Sequence, residues 1–407
     1  MKMKLFALGL FALTAAAVVY FPNVQGHATA HVVPPPVVHH TVQPFVQPVL
    51  PISRPKIEVV FVLDTTGSMG GLIQAAKDKI WSIASSMASA QPAPEIRMGL
   101  VAYRDRGDEY VTKVIDLSDD LDSMYASLID LNADGGGDGP ESVNEALHDA
   151  IHDISWSQDP NSYQVVFLVG DAPPHMDYRN DVRYPQTMAV AAGRGIVVNT
   201  IRCGQDLQTE QQWQQIAALT QGRYFSVDQA GGAIAVVTPF DEKLARLSAS
   251  LDETRLYYGT DAERQVKQLK IEATDKLHAK ASTSSKARRA TFNASPSGAA
   301  NQFGDGDLVA DIAEGRVALE ELDDELLPEP MQAMAPEERT AVVEENVRQR
   351  DELKRQIGEL ATQRENFLAR EVEASGDKED SLDYRLFDTV RAQAEKKGLE
   401  YSSGPKY

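Results

Sequence analysis

The sequence is poor in cysteine, in basic charge and, beyond its N-terminus, in long apolar runs. Its one cysteine, Cys203, excludes an internal disulfide framework, and its place at the end of an apolar run indicates a buried thiol. The chain has 40 Lys and Arg against 60 Asp and Glu, a net charge of −20. This charge opposes nonspecific binding to nucleic acid, which is therefore not an expected partner, and it suits divalent cations. A hydrophobic content of 43% over 407 residues is enough for a substantial core.

The N-terminus has the pattern of a targeting segment. Two lysines precede an uncharged run from Leu5 to Phe21, and small residues follow at 28–30. This pattern predicts a signal peptide over residues 1–30 and export to the periplasm, the cell surface or the medium. The run also approaches the roughly 17 residues needed to span a bilayer, so an uncleaved membrane anchor stays as an alternative. Residues 31–55, rich in Val, Pro and His, are predicted to be an extended linker.

Strand and helix patterns alternate from residue 56 to residue 258. The apolar run Val59–Leu63 does not alternate with polar residues, which is typical of a strand buried on both faces. The alternation predicts an α/β domain with a doubly wound, mostly parallel six-stranded sheet, strand order 3-2-1-4-5-6, and helices on both faces. The second and third strands are joined by too few residues for a crossover and should pair antiparallel. The predicted strands are Val59–Leu63, Arg97–Tyr103, Val111–Ile115, Tyr163–Val169, Ile196–Ile201 and Tyr224–Val227.

The region 259–407 has a different composition and is predicted to be a polar, partly disordered and largely helical C-terminal extension. Residues 260–340 are polar or acidic with little periodicity, and compact folding is not expected there. Residues 337–374 are predicted to form one long helix. Its apolar residues approximate a heptad seam suited to a coiled coil or to self-association, although three polar residues interrupt it. The seam consists of Leu353, Ile357, Leu360 and Phe367, and the interruptions are Asn346, Arg350 and Arg364.

Oxygen-bearing side chains occur in three segments that the predicted sheet would bring together. Asp64, Thr66 and Ser68 follow the first strand, and Asp171 follows the fourth. Because the first and fourth strands are neighbours at the switch point of such a sheet, these residues should face one crevice. The third segment is the glycine-rich loop 135–141. Carboxylates gathered in this way repel one another unless a cation is present, and hard oxygen ligands suit Mg²⁺ or Ca²⁺ rather than Zn²⁺.

These residues resemble a known family. Asp64-x-Thr66-x-Ser68 after a buried strand, with Asp171 after a later one, resembles the metal-ion-dependent adhesion site of von Willebrand factor A domains. The resemblance covers roughly residues 56–258. It implies a Rossmann-like sheet and a bound divalent cation, Mg²⁺ or alternatively Ca²⁺ or Mn²⁺. In such a site the cation keeps one position for an acidic side chain of a partner protein.

The glycine loop departs from the commoner family pattern because it lacks threonine. It is more similar to the loop of the integrin β-subunit domain, in which a glutamate coordinates the metal. The resemblance therefore implies that Glu141 is a ligand and that Asp138 is a candidate for an adjacent site. Asp134 is a further candidate for such a site, with an ordinary solvated loop acid as the alternative.

Other interpretations stay open. Asp64 and Ser68 could cap a helix, although capping explains one segment and not three. The run Asp64–Ser68 also resembles the phospho-aspartate motif of haloacid-dehalogenase-type enzymes, in which Asp64 would be a nucleophile. His148 and His152, four residues apart on one predicted helix, have a spacing that can hold zinc, or they are half-exposed helix residues.

The sequence thus predicts an exported, non-enzymatic protein that binds a partner protein through a divalent cation. Asp64, Thr66, Ser68, Glu141 and Asp171 are its predicted metal ligands. The alternative from another class is a structural envelope protein in which the metal only holds loops together.

Overall fold

A computed structural model describes residues 54–137, 139–227, 237–375 and 382–401 of the chain. These residues belong to one compact unit. Among them, no helix combines the length and the apolar character needed to cross a membrane. The predicted signal peptide and most of the predicted linker lie outside the described residues, as does Asp138.

The sheet has the predicted order β3-β2-β1-β4-β5-β6, so this prediction is confirmed. All neighbouring pairs are parallel except β2 with β3, which is antiparallel as expected. β1 lies in the centre, and its residues from Ile57 onward are buried, which explains its unbroken apolar run. The strands are β1 Lys56–Asp64, β2 Glu95–Tyr103, β3 Thr112–Ser118, β4 Tyr163–Gly170, β5 Val197–Cys203 and β6 Tyr224–Val227.

Helices cover both faces of the sheet, as predicted. In chain order the first six helices are α1 Ile73–Ala88, α2 Leu121–Asp130, α3 Val143–His152, α4 Tyr184–Arg194, α5 Leu207–Leu219 and α6 Asp241–Asp252. The apolar residues of α6 pack with the C-terminal region and not with the sheet. Alternate residues of β1 enter opposite cores. Phe61 packs with α1 and α2, whereas Val62 packs with α3, α4 and α5. This alternation is the direct consequence of the two-residue period of a strand.

The prediction of a largely helical C-terminal extension is confirmed, whereas the expectation that its residues 260–340 would not fold compactly is wrong. This region forms α7 Asp261–Lys280, α8 Thr283–Asn293, α9 Ala299–Phe303, α10 Leu308–Ala313 and α11 Glu329–Gln332. Its interior contains paired charges as well as apolar side chains, which is why it lacks an apolar period. Arg289 of α8 is completely buried, and it donates hydrogen bonds to Asp122 of α2 and Asp252 of α6. A buried charge of this kind is tolerated because its partners neutralise it.

The predicted long helix is α12, Pro336–Ser375. Its seam residues pack inside the same chain: Leu353 and Ile357 contact a core formed with α6, α8 and α9. The arginines that interrupt the seam form buried ion pairs. Arg350 pairs with Asp307 at 2.6 Å, and Arg364 pairs with Asp241 at 2.7 Å. The seam that suggested a partner helix is therefore used within this chain.

A last helix, α13 Leu382–Ala394, returns to the sheet. Gln393 accepts a hydrogen bond from the Tyr163 hydroxyl at 2.7 Å and exchanges hydrogen bonds with the Asn199 amide. Asp383 pairs with Lys79 of α1 at 2.6 Å. The C-terminal region is thus part of the same packed body as the sheet.

Candidate functional site

Asp64 ends β1 with its side chain fully buried. Its Oδ1 accepts hydrogen bonds from the Thr66 backbone N–H at 2.9 Å and from the Thr66 hydroxyl at 2.6 Å. A carboxylate that binds an amide two residues later is a common turn arrangement, and here it stops the strand. The chain then enters a short 3₁₀ turn, Gly67–Gly71, which places Ser68 over the end of the sheet.

Ser68 joins the first segment to the second. Its hydroxyl donates to Asp171 Oδ1 at 2.9 Å and lies 3.1 Å from the Thr66 hydroxyl. Gly170, the last residue of β4, makes this close approach possible, because a Cβ there would lie 2.7 Å from the Cβ of Asp64. The structure therefore brings Asp64, Thr66, Ser68 and Asp171 together at the carboxyl ends of β1 and β4.

The glycine loop is held against both of these segments by backbone hydrogen bonds. The Gly67 N–H donates to Gly135 O at 3.1 Å, and the Glu141 N–H donates to Pro173 O at 2.9 Å. Gly136 has φ +76°, and a Cβ there would lie 2.9 Å from Glu141 Oε1 and 3.1 Å from the Cβ of Thr66. Glycine at this position thus lets the glutamate lie beside the first loop.

Electrostatics at this crevice disfavour ionised acids. Burial raises the pKa of Asp64 to about 7. Burial, together with the nearby carboxylates of Asp64, Asp105, Asp108 and Asp171, raises the pKa of Glu141 to about 9. The pKa of Asp171 is also raised, mainly by burial. A neighbouring cation would remove this penalty, since opposite charge favours the ionised form.

Two buried oxygens mark where such a cation would fit. Asp64 Oδ2 and Glu141 Oε2 have no hydrogen-bond partner among the described residues. Buried polar atoms are normally paired, so an orphaned carboxylate oxygen needs a physical reason, and a bound ion supplies one. Hydroxyl and carboxylate oxygens are the ligands that Mg²⁺ and Ca²⁺ prefer. The residues present therefore fit a hard divalent cation.

Carboxylates alone do not complete the site. In the described part of the chain, no group of three or more His, Cys, Asp and Glu side chains is arranged to hold a metal ion. Coordination here would depend on the Thr66 and Ser68 hydroxyls and on water as well as on acids. Asp134 is exposed, and its side chain accepts the Gly135 N–H at 2.9 Å.

Sequence reasoning missed a supporting layer from the β2–β3 turn. Asp108 Oδ2 accepts the N–H of Gly136 at 2.9 Å and that of Asp105 at 3.1 Å, so it holds the glycine loop. Asp105 accepts hydrogen bonds from the hydroxyls of Ser142 at 2.8 Å and Tyr178 at 2.9 Å. The presence of two aspartates in this short turn was the sequence feature that could have indicated a role near the site. Their contacts with residues distant in sequence, however, depend on three-dimensional packing.

The fold and this crevice define a class: a doubly wound α/β domain whose candidate binding site lies at the carboxyl ends of its central strands. Residues 58–238 match the family model described as von Willebrand factor A domain. This part of the chain is a von Willebrand factor A domain, as the sequence resemblance predicted. Domains of this family commonly bind protein partners and are generally not enzymes.

Solved structures with similar folds include the SpRpn10 VWA domain, at 16% identity and a TM-score of 0.34. That match covers 43% of this chain and 89% of the other. Two structures of proximal thread matrix protein 1 from the mussel byssus match at 15% and 16% identity with TM-scores of 0.33. They cover 43% and 42% of this chain and 42% of their own length, and one has zinc in its MIDAS motif. No curated protein matches the chain.

The nucleophilic role considered above would fall to one oxygen of Asp64. Its side chain is fully buried, and Oδ1 accepts two hydrogen bonds from Thr66, which leaves only Oδ2 to attack a substrate.

Proposed function

We propose that this domain binds a partner protein through a divalent cation held at the crevice between β1 and β4. The cation is Mg²⁺, or Ca²⁺ or Mn²⁺ in its place, and the partner offers an acidic side chain. The proposed ligands, some of them acting through water, are Asp64, Thr66, Ser68, Glu141 and Asp171.

The observation that carries this proposal is the pair of buried oxygens, Asp64 Oδ2 and Glu141 Oε2, that have no hydrogen-bond partner in the described part of the chain. They belong to two loops that backbone hydrogen bonds hold together. Leaving two carboxylates ionised and unpaired at this depth costs several kcal/mol in general. A cation would offset that cost, and Glu141 with its raised pKa would lose its proton when the ion binds.

Each residue has a defined part in this proposal. Asp64 is the central, rigid anion, because both its burial and its hydrogen bonds to Thr66 fix its position. Ser68 and Thr66 supply neutral oxygens, which leave net positive charge on the ion for an incoming carboxylate. Asp171 orients the Ser68 hydroxyl at 2.9 Å. Recognition by charge and geometry, without a chemical step, is what this arrangement can perform.

Metal binding is tested with the metal alone. In chemical denaturation of the full chain, saturating Mg²⁺ should raise the free energy of unfolding, since a ligand that binds only the folded state stabilises it. Ser68→Ala should reduce this increase, and Ser127→Ala, which removes an exposed hydroxyl from α2, should not. An identical stability with Mg²⁺ and with chelator would contradict the proposal.

Partner binding needs a second experiment. Proteins captured by the full chain from an envelope extract would be compared in Mg²⁺, in chelator and with Asp171→Asn. The proposal expects capture that requires both Mg²⁺ and Asp171. Capture that persists in chelator would instead favour the second candidate, a scaffold in which the ion only joins loops, which the backbone hydrogen bonds between the loops make reasonable.

We also propose export, on the basis of the N-terminal sequence pattern alone. Cell fractionation and the mass of the mature N-terminus test it. A protein that starts near residue 31 in an envelope or extracellular fraction supports a cleaved signal, and an intact N-terminus in the membrane fraction supports the anchor. Intact protein in the cytoplasm would contradict export.

A further inference from the structure

Tyr103 ends β2 beside Asp64, and the function proposed above gives it no part. In the sheet it pairs with Asp64, the last residue of β1. Its side chain is completely buried and packs in the same core as Val62, two residues before Asp64. Since side chains two apart along a strand share a face, Tyr103 and Asp64 point to the same side of the sheet.

The Tyr103 hydroxyl and Asp64 Oδ2 lie next to one another beside Gly170 of β4. A Cβ on Gly170 would collide with this hydroxyl and would lie 2.8 Å from Asp64 Oδ2. The two oxygens therefore border one small space at the end of the sheet where the crevice lies. Burial and the charges of the nearby site carboxylates raise the pKa of Tyr103 well above its ordinary value, so the hydroxyl keeps its proton.

Both of these oxygens need a hydrogen-bond partner. Neither the Tyr103 hydroxyl nor Asp64 Oδ2 has one among the described residues, so they do not bond to each other. The hydroxyl is a donor, and the carboxylate oxygen has two lone pairs, of which one can face a cation while the other accepts. Where a donor and an acceptor lie close without a direct bond, a bridging water satisfies both.

Glu141 offers a further acceptor at this crevice. A buried water typically makes about three hydrogen bonds. Glu141 Oε2 is the other carboxylate oxygen of the crevice that has no partner in the described part of the chain. One donor and two acceptors thus match the bonding capacity of one water.

We propose that Tyr103 is a positioning residue of the metal site: its hydroxyl donates to a buried water, which donates in turn to Asp64 Oδ2. This role rests on the function proposed above, because it serves a bound cation. The strand that carries the hydroxyl is itself fixed at this end. Tyr103 O accepts hydrogen bonds from the Thr65 N–H at 3.0 Å and from the Thr65 hydroxyl at 2.9 Å.

Tyr103→Phe tests this role, because it removes the hydroxyl and keeps the ring. Groups that orient metal ligands from outside typically contribute about 10–100-fold to metal affinity, and we expect a loss of that size for Mg²⁺ in calorimetry of the full chain. The midpoint of urea unfolding in chelator should stay close to that of wild type, since the ring keeps its packing. A residue with only a packing role would leave the Mg²⁺ affinity unchanged.

Tyr163→Phe is the matched control. Tyr163 is also buried, but it lies at the start of β4, at the opposite end of the sheet, where its hydroxyl donates to Gln393 at 2.7 Å. This variant should lower the urea midpoint in chelator and keep the Mg²⁺ affinity of wild type.

The outcomes separate this role from the proposed function. Equal Mg²⁺ affinity of Tyr103→Phe and wild type, or an equal loss in Tyr163→Phe, would overturn the role of Tyr103 alone. A wild-type chain that binds no Mg²⁺ would overturn both proposals. A crystal structure of the Mg²⁺-loaded chain should show a water within hydrogen-bond distance of the Tyr103 hydroxyl and Asp64 Oδ2, and ordered side chains without that water would contradict the role.

Discussion

Replacing Asp64 by Asn should stabilise the metal-free protein at neutral and higher pH. Burial raises the pKa of Asp64 from 3.8 to about 7. Because each tenfold change in an equilibrium is 1.36 kcal/mol, ionising this group in the folded state costs about 4 kcal/mol more than in the unfolded state. Asn keeps an oxygen that can accept the two Thr66 hydrogen bonds and removes the charge.

The sign of the pH dependence follows from linkage. The folded state holds the Asp64 proton more tightly, so this contribution favours folding most below pH 4, and stability is lost as the pH rises from about 4 to about 7. Groups other than Asp64 also titrate over this range. The informative quantity is therefore the difference in free energy of unfolding between Asp64→Asn and wild type at each pH, in which most of those contributions cancel.

Urea denaturation in chelator at several pH values measures this difference. The free energy of unfolding of Asp64→Asn, relative to that of wild type, should increase by up to about 4 kcal/mol between pH 4 and pH 8. Saturating Mg²⁺ should stabilise wild type and leave the variant unchanged. Asp134→Asn, an exposed change immediately before the glycine loop, should stay within about 0.5 kcal/mol of wild type at every pH. A difference for Asp64→Asn that does not vary with pH would show that ionising Asp64 carries no such cost in the folded state.

Three further predictions concern the residues around the site and the C-terminal region. Asp108→Ala should lower Mg²⁺ affinity by about 10–100-fold in calorimetry with little change in fold, because it removes the carboxylate that holds the glycine loop from outside the ligand set; unchanged affinity would contradict this role. Gly170→Ala should destabilise the protein by about 1–3 kcal/mol in urea, since its Cβ would lie 2.7 Å from that of Asp64, and a neutral effect would show that the crevice can expand. Arg350→Met should cost about 3–5 kcal/mol, because it leaves Asp307 buried without its partner, and adding Asp307→Leu should recover part of the loss; equal stability of the single variant and wild type would argue against the buried pair.

The sheet was predictable from sequence because its strands carry a strong local signal. The run from Val59 to Leu63 is buried on both faces, and its abrupt end at Asp64 marks the edge where parallel strands present their loops. Strand order then followed from the general rules of doubly wound sheets, and with it the proximity of Asp64 and Asp171. The spacing of the Asp64-x-Thr66-x-Ser68 motif was then enough to predict that Thr66 and Ser68 also lie at this edge.

The C-terminal region could not be predicted in this way, because its charged residues are buried against oppositely charged partners that lie far away in the sequence. Arg289 is buried only because Asp122 and Asp252 face it, and neither partner is close to it in sequence. A hydropathy pattern assigns such residues to solvent. Arg350 and Arg364 similarly looked like breaks in a coiled-coil seam, and the structure pairs them with acids of the packed body.

The role of Asp108 in holding the glycine loop could not be predicted from sequence either. Its carboxylate contacts the N–H of Gly136, 28 residues away, across the end of the sheet. Nothing in the spacing of the turn reveals which loop it will meet. Contacts that support the site from outside, such as this one, depend on how the loops pack. The positions of the motif residues, in contrast, follow from where the strands end.

Cation binding at the crevice is measured most directly by the anomalous X-ray signal from crystals of the full chain soaked in Mn²⁺. We expect a peak at the crevice, in contact with the Ser68 hydroxyl and close to Asp64, Glu141 and Asp171, and no such peak in Asp64→Asn crystals. Well-ordered crevice side chains with no peak at saturating Mn²⁺ would contradict it.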